Sequence, residues 1–273
     1  MNNRERFLSE NPVCVFCGGA VAATTIEHCP PKALFQHKHW PEGFEFAACS
    51  ACNNGTGDQD AIVAMLARMD PEEAVGNKDG RVEGLIKNIG NQFPAMFRKM
   101  LPSAVEARRK NRELGVRPGP GQTHQDVAPV LIPPEMSRAV EVFAGKLAKA
   151  IYFREVGSIF PETGTLLLNW FTNAELVKHG KYTLFELLKD VPGRAVPLRR
   201  GGKYLDEQFQ YKLSITPENN VFIIQARFGV AFGLVLFGST EPNVIEPVVD
   251  TLRARYGENG PFVVLQSVEC SVP

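Results

Sequence analysis

Two C-x-x-C pairs, Cys14-Val-Phe-Cys17 and Cys49-Ser-Ala-Cys52, constrain this chain more than any other feature. A two-residue spacer lets both sulfurs of a pair face one ion, and two pairs supply the four thiolates of a tetrahedral Zn²⁺ site. The 31 residues from Gly18 to Ala48 separate the pairs, a gap longer than in common zinc fingers and suited to an inserted hairpin and loop. Gly18 and Gly19 fit the tight turn that follows a knuckle. Four sulfur ligands leave no coordination position for water, so the expected zinc is structural. A redox pair or scattered buried thiols would not account for two matched pairs. Cys29 and Cys270 are expected as buried thiols outside the cluster.

The rest of the chain frames this module. At 273 residues and 44% hydrophobic it is long enough for a small module plus a larger domain, each with a core. No run approaches the length of a membrane helix, and the charged start MNNRERFLSENP does not resemble a secretory signal. The expectation is a cytoplasmic protein with no membrane partner. Thirty basic and 30 acidic residues give no net attraction to phosphate, so a nucleic-acid surface would have to come from local clustering. Residues 1–70 hold five basic and eight acidic side chains, whereas 91–120 hold seven basic and two acidic.

Three segments are expected. Residues 1–75 form the metal-held module, ending in a helix that carries Ile62, Val63, Met65, Leu66 and Met69, with Asp58 and Asp60 in its first turn. Residues 76–130 form a helical, basic segment and linker. Phe93, Met96, Phe97, Met100 and Leu101 recur at helical spacing, Pro102 divides the helix, and Arg108 to Arg112 give a basic tract that suits either a solvated face or a duplex backbone. GVRPGPGQTHQD then reads as a linker or surface loop. Residues 131–273 form a larger α+β domain of unassigned role. Its opening helix, PPEMSRAVEVFAGKLAKAIYFREVG, puts Val140, Phe143, Leu147 and Ile151 on one face, and FQYKLSI, VFIIQARF and VAFGLVLF read as an antiparallel meander, with PFVVLQSVE as a further strand.

Between the cysteine pairs lies Thr25-Ile-Glu-His-Cys-Pro-Pro-Lys32, and Asn53 and Asn54 follow the second pair. The order C-x-x-C, E/D-H-x-x-P-K, C-x-x-C-N resembles the HNH endonuclease family over residues 12–69, about a fifth of the chain. The resemblance implies a zinc-bound ββα-metal module, a β-hairpin followed by a helix around one catalytic divalent ion. It implies His28 as the general base that activates water, Glu27 as a metal ligand where many members have Asp, and Asn53 as the amide ligand at the start of the helix. Mg²⁺ or Mn²⁺ suits such oxygen donors and would stabilise charge at the phosphorus. No Asn matches the one many members carry on the second strand, so Asn54, Asp58 and Asp60 stand as alternative ligands; an N-cap role explains either Asp equally well. His37, His39 and Lys32 are expected in an exposed loop, within reach of phosphate.

The expected function is therefore a metal-dependent endonuclease that hydrolyses nucleic-acid phosphodiester bonds, DNA rather than RNA. Two other functions compete with it. One is a catalytically silent, zinc-held adaptor for nucleic acid or protein. The other is a nuclease regulated by a ligand or protein partner through residues 131–273. A homo-oligomer is compatible with each.

Overall fold

The computed structural model describes residues 2–70, 77–256 and 261–265. Helix α1 (Asn3–Glu10) opens on a capping box, in which Asn2 Oδ1 accepts from the Glu5 amide at 2.8 Å and Glu5 accepts from the Asn2 amide at 2.9 Å. The first knuckle follows. Cys14 N donates to Val21 O at 2.9 Å and Gly19 N to Cys14 O at 3.1 Å. The return needs positive φ at Gly18 (64°) and Gly19 (79°), a conformation that a side chain would strain.

Strands β1 (Thr25–His28) and β2 (Glu45–Ala48) pair antiparallel, with Thr25 opposite Ala48 and His28 opposite Glu45. Alternation along β1 sends Glu27 inward, where it is buried opposite Phe46, and His28 to the other face. The second knuckle starts helix α2 (Ser50–Asn54), whose N-cap is Cys49. Helix α3 (Gly57–Arg68) follows, with Asp58 and Asp60 in its first turn and Ile62, Val63, Met65 and Leu66 buried. Met69 is its C-cap rather than part of the helix.

The basic segment is three helices, α4 (Val82–Gln92), α5 (Pro94–Met100) and α6 (Ala104–Leu114). The expected break at Pro102 is present, and Pro94 makes a second. Proline lacks the N–H that would continue α4 and excludes helical backbone at Phe93, which sits at φ −125°, ψ 58°. The proline-rich loop after α6 is docked rather than free-standing: buried Asn111 donates to the His124 carbonyl at 2.8 Å, and Leu131 N to Met100 O at 2.9 Å.

Helix α7 (Pro134–Val156) starts on proline and ends at left-handed Gly157. It buries Val140, Phe143, Leu147 and Ile151 as the spacing predicts, and also Lys146 and Lys149 on a second face. The sheet adds β3 (Thr165–Thr172), β4 (Arg194–Ala195), β7 (Gln210–Ile215), β8 (Val221–Phe228), β9 (Phe232–Ser239) and β10 (Val263–Leu265) in the antiparallel order β10-β3-β9-β8-β7-β4. The meander expected between Phe209 and Gly238 is β7 to β9, and β3 lies beyond it. The rest of PFVVLQSVE, and Cys270, fall outside the described residues. Short helices α8 (Ala174–His179) and α9 (Thr183–Leu187) and a hairpin of β5 (Arg199–Arg200) and β6 (Lys203–Tyr204) connect β3 to the meander. Helix α10 (Pro242–Tyr256) packs Ile245 and Val249 on Leu167, on the sheet face opposite the main core.

The fold is α+β, and one buried cluster joins its parts. Cys14, Phe16, Phe46 and Met65 of the first segment share that cluster with Phe143 and Leu147 of α7 and with Phe209 and Phe228 of the sheet. Phe44 meets Phe209 edge to face at 5.9 Å, Phe46 meets Phe153 at 6.3 Å, and Lys149 Nζ donates to Phe16 O at 2.7 Å. No helix among the described residues is long and apolar enough to cross a membrane.

Candidate metal centre and histidine face

The two knuckles bring Cys14, Cys17, Cys49 and Cys52 together. All four are buried, and their Sγ atoms lie within 4.8 Å of one another. Tetrahedral Zn²⁺ with Zn–S near 2.3 Å requires sulfurs about 3.8 Å apart, a spacing inside that limit. Cys52 hydrogen-bonds the Cys14 sulfur and holds its pKa down at about 4, against burial, with backbone amides adding to the effect. Cys52 N also donates to Cys49 Sγ at 3.5 Å. This donor set fits zinc, and the ion would act by tying the start of α2 to the turn before β1. Among the described residues it is the only convergent group of three or more His, Cys, Asp or Glu side chains.

Behind the hairpin, Glu27 faces a second cluster. Lys146 of α7 forms an ion pair with the Glu27 carboxylate, donates to Thr56 Oγ1 at 2.6 Å, and lies 3.2 Å from Asp60 Oδ2. Burial opposes the charge on Lys146, but Asp60 and Glu27 outweigh it and its pKa is raised. Two carboxyl groups share one ammonium. Burial pushes Glu27 up to about 7 despite the pull of Lys146, and raises Asp60 for the same reason. Asp60 Oδ1 is buried and accepts no hydrogen bond among the described residues. Cys29 lies in the same field, its thiol pushed up by burial. A cavity of about 720 Å³ opens beside Lys146 and Thr56 and is also bordered by Gln59, Arg138, Glu141 and Lys149.

His28 belongs to a different surface. Its ring meets Trp40 edge to face at 4.8 Å. Lys32 Nζ lies 3.7 Å from the Trp40 ring centre and the Arg200 guanidinium 3.5 Å from it. The Trp40 Nε1 donates to Glu45 Oε1 at 2.7 Å, and Arg200 lies 3.8 Å from that oxygen. Burial and the charges of Lys32 and Arg200, only partly offset by Glu45, lower the His28 pKa to about 4. The imidazole is neutral at pH 7.

The implied catalytic ligands do not converge here. Glu27 is paired with Lys146 on the face away from His28. Asn53 donates its Nδ2–H to the Ile26 carbonyl at 3.2 Å, tying α2 to β1. Of the alternatives, Asn54 bonds Ser50 at 3.0 Å and Asp58 accepts from Gln92 at 2.8 Å, while Asp60 joins the Lys146 cluster. A divalent ion on Glu27 would have to displace an ammonium from the centre of its oxygen donors, so this arrangement does not fit Mg²⁺ or Mn²⁺ at Glu27. His37 and His39 lie in the loop, with ring centres 5.8 Å apart. In the basic tract, Lys110 and Arg109 reach Glu113 at 2.9 and 3.9 Å.

Sequence reasoning overlooked Lys146, Trp40 and Arg200. Lys146 and Lys149 carried a signal, two lysines three apart inside the otherwise apolar run 142–153. Arg200 carried none, because its proximity to Trp40 is tertiary. In comparisons, the chain matches no family model, no curated protein and no solved structure.

Proposed function

We propose that residues 12–69 act as an HNH-type nuclease module that hydrolyses phosphodiester bonds of nucleic acid, DNA rather than RNA, with His28 as general base and a structural zinc on the four cysteines. The observation that carries this reading is the neutral imidazole of His28 at the end of β1, beside Trp40, Lys32 and Arg200. A hairpin that leads into a helix, bracketed by two cysteine pairs, also supports it. In the proposed step His28 accepts the proton of a water whose oxygen bonds to phosphorus, the P–O bond to the leaving sugar oxygen breaks and that oxygen takes a proton from solvent, while Lys32 and Arg200 offset charge that builds on the phosphate oxygens. A low pKa makes His28 a weak base, so its share of the rate enhancement would be modest. No step is assigned to a divalent ion.

One observation favours a second reading, a binding-only adaptor. Glu27, the side chain the family resemblance would place on metal, is engaged by Lys146. The two readings separate in one experiment on zinc-replete full-length protein: binding and cleavage of plasmid, single-stranded DNA and structured RNA by the wild type and His28→Ala. Cutting lost in the variant with binding retained supports the nuclease. Binding by both without cutting by either supports the adaptor. Cutting that survives in His28→Ala removes the base assignment.

A further inference from the structure

The β5–β6 hairpin has the sequence Arg199-Arg200-Gly201-Gly202-Lys203-Tyr204. Its turn is two glycines at positive φ, 55° and 78°, the backbone that tight hairpins require. Arg200 and Lys203 are direct cross-strand partners and so share one face. Like charges directly opposite each other are destabilising, and a ribbon of two short strands has little pairing energy to offset that.

The hairpin is pinned to the loop that carries the histidine surface. Glu42 N donates to Arg199 O at 2.9 Å, Gly201 N to Glu42 Oε1 at 2.8 Å, and Arg200 Nη1 to Trp40 O at 3.2 Å. Through Arg200, the face it shares with Lys203 lies against Trp40, the ring that His28 touches. Glu45 and Glu42 are the carboxylates at this junction. The first is already bonded to the Trp40 indole and the second to the hairpin turn. Both keep their negative charge, and Glu45 also lies 3.8 Å from Arg200, so Lys32 and Arg200 at the Trp40 ring, with Lys203 across the hairpin, exceed them by a single charge. On the opposite face Arg199 stacks 4.1 Å from the ring of Tyr204, which is 59% exposed. Cations beside one exposed aromatic ring, Tyr204, suit a phosphate backbone with a base beside it.

We infer that the β5–β6 hairpin is a backbone clamp for nucleic acid, in which Arg200 and Lys203 take phosphates next to the His28 end of the module. The clamp rests on the nucleic-acid reading above and locates its contact in the second half of the chain, away from the basic tract of α6. Its contacts are to phosphate and are independent of sequence.

The test measures affinity for duplex DNA by fluorescence anisotropy over a salt series, using zinc-replete full-length wild type, His28→Ala, Lys203→Gln and Arg200→Gln/Lys203→Gln. Each lost phosphate contact lowers the slope of log affinity against log salt by about 0.9 on duplex. Lys203→Gln is expected to lower it by about that amount, the double variant by about twice as much, and His28→Ala not at all. Zinc content and melting temperature establish that the variants are folded, and Lys203, exposed and outside the Trp40 contacts, gives a second route if Arg200 proves structural. A double variant that is folded and keeps the wild-type slope overturns the clamp, as does a wild type that does not bind. The outcomes also separate the two inferences. Cleavage with an unchanged slope defeats the clamp alone, and a lowered slope without cleavage by the wild type defeats the nuclease alone.

Discussion

Replacing Lys146 with Met tests the buried cluster that joins the four-cysteine module to α7. The side chains of Lys146, Glu27 and Asp60 are 3%, 7% and 14% exposed, so the change leaves two carboxyl groups in a low-dielectric site with no cation. Removing one partner of a buried pair costs about 3–5 kcal/mol. The wild-type rise of Glu27 from 4.5 to about 7 already represents about 3 kcal/mol of disfavoured ionisation, and without Lys146 the rise grows. A carboxyl group whose folded pKa lies above its unfolded value destabilises the fold when it ionises. The penalty is full above the folded pKa and vanishes below the unfolded one. The deficit of Lys146→Met should therefore be about 3–5 kcal/mol near pH 8 and shrink to about 1–2 kcal/mol near pH 5, where the lost hydrogen bond to Thr56 remains. Denaturant unfolding of the zinc-replete full chain, followed by tryptophan fluorescence at both pH values, measures it. A deficit below about 1 kcal/mol at both, or one that grows on acidification, would refute the arrangement.

Three further outcomes are expected. Cys52→Ser should release zinc, measured by elemental analysis, and lower stability by more than about 4 kcal/mol, because the remaining three thiolates no longer close the site. His28 should titrate near pH 4 by NMR, so cleavage, which needs the neutral ring, should fall only as pH drops through that value. Trp40→Ala, which rehydrates the ring, should move both midpoints up toward 6.5, and a wild-type midpoint already near 6.5 would contradict the burial of His28 by Trp40. A fragment of residues 1–75 should fail to show a cooperative melt even with zinc, since it would expose Phe44 and Phe46 and leave Glu27 without Lys146; a sharp transition in the isolated fragment would show that the shared core is dispensable.

The parts legible in the sequence were those whose cause is local. Spacing within each C-x-x-C pair foretells the four-sulfur cluster because a two-residue spacer turns both sulfurs of a pair to one side. Alternation and turn residues give β7 to β9, and the apolar stripe of α7 gives its packed face. Strand β3 was harder to foresee: Leu166, Leu167 and Leu168 are buried on both sides of the sheet, so the run lacks the alternation that identifies a half-buried strand. The site was less legible still. Glu27 and His28 are neighbours in the chain and read as one unit, yet strand geometry gives them different partners. Those partners come from residue 146 on one side and residues 40 and 200 on the other, and no local signal carries pairings over such separations.

That division shapes what the module can do. Lys146 supplies a fixed cation on the inner side of the hairpin, held by Glu27, Thr56 and Asp60, whereas Trp40, Lys32 and Arg200 surround the outer imidazole. The inner cluster is too buried to meet a nucleic-acid strand, so its contribution to any reaction is positional: it locks β1 to α3 and α7 and thereby sets where His28 stands. The positive charge on the outer face comes from Lys32, over the Trp40 ring, and from Arg200, which belongs to the β5–β6 hairpin. Recognition and charge stabilisation would share residues, and Arg200 is where they meet. An Arg200→Lys variant keeps the charge but loses the planar stack on Trp40 and the Nη1 bond to the Trp40 carbonyl. It should bind nucleic acid with a near wild-type salt slope, while any cleavage falls more than binding does. No loss of either would mean that Arg200 acts through its charge alone, and equal losses would mean that its geometry serves binding only.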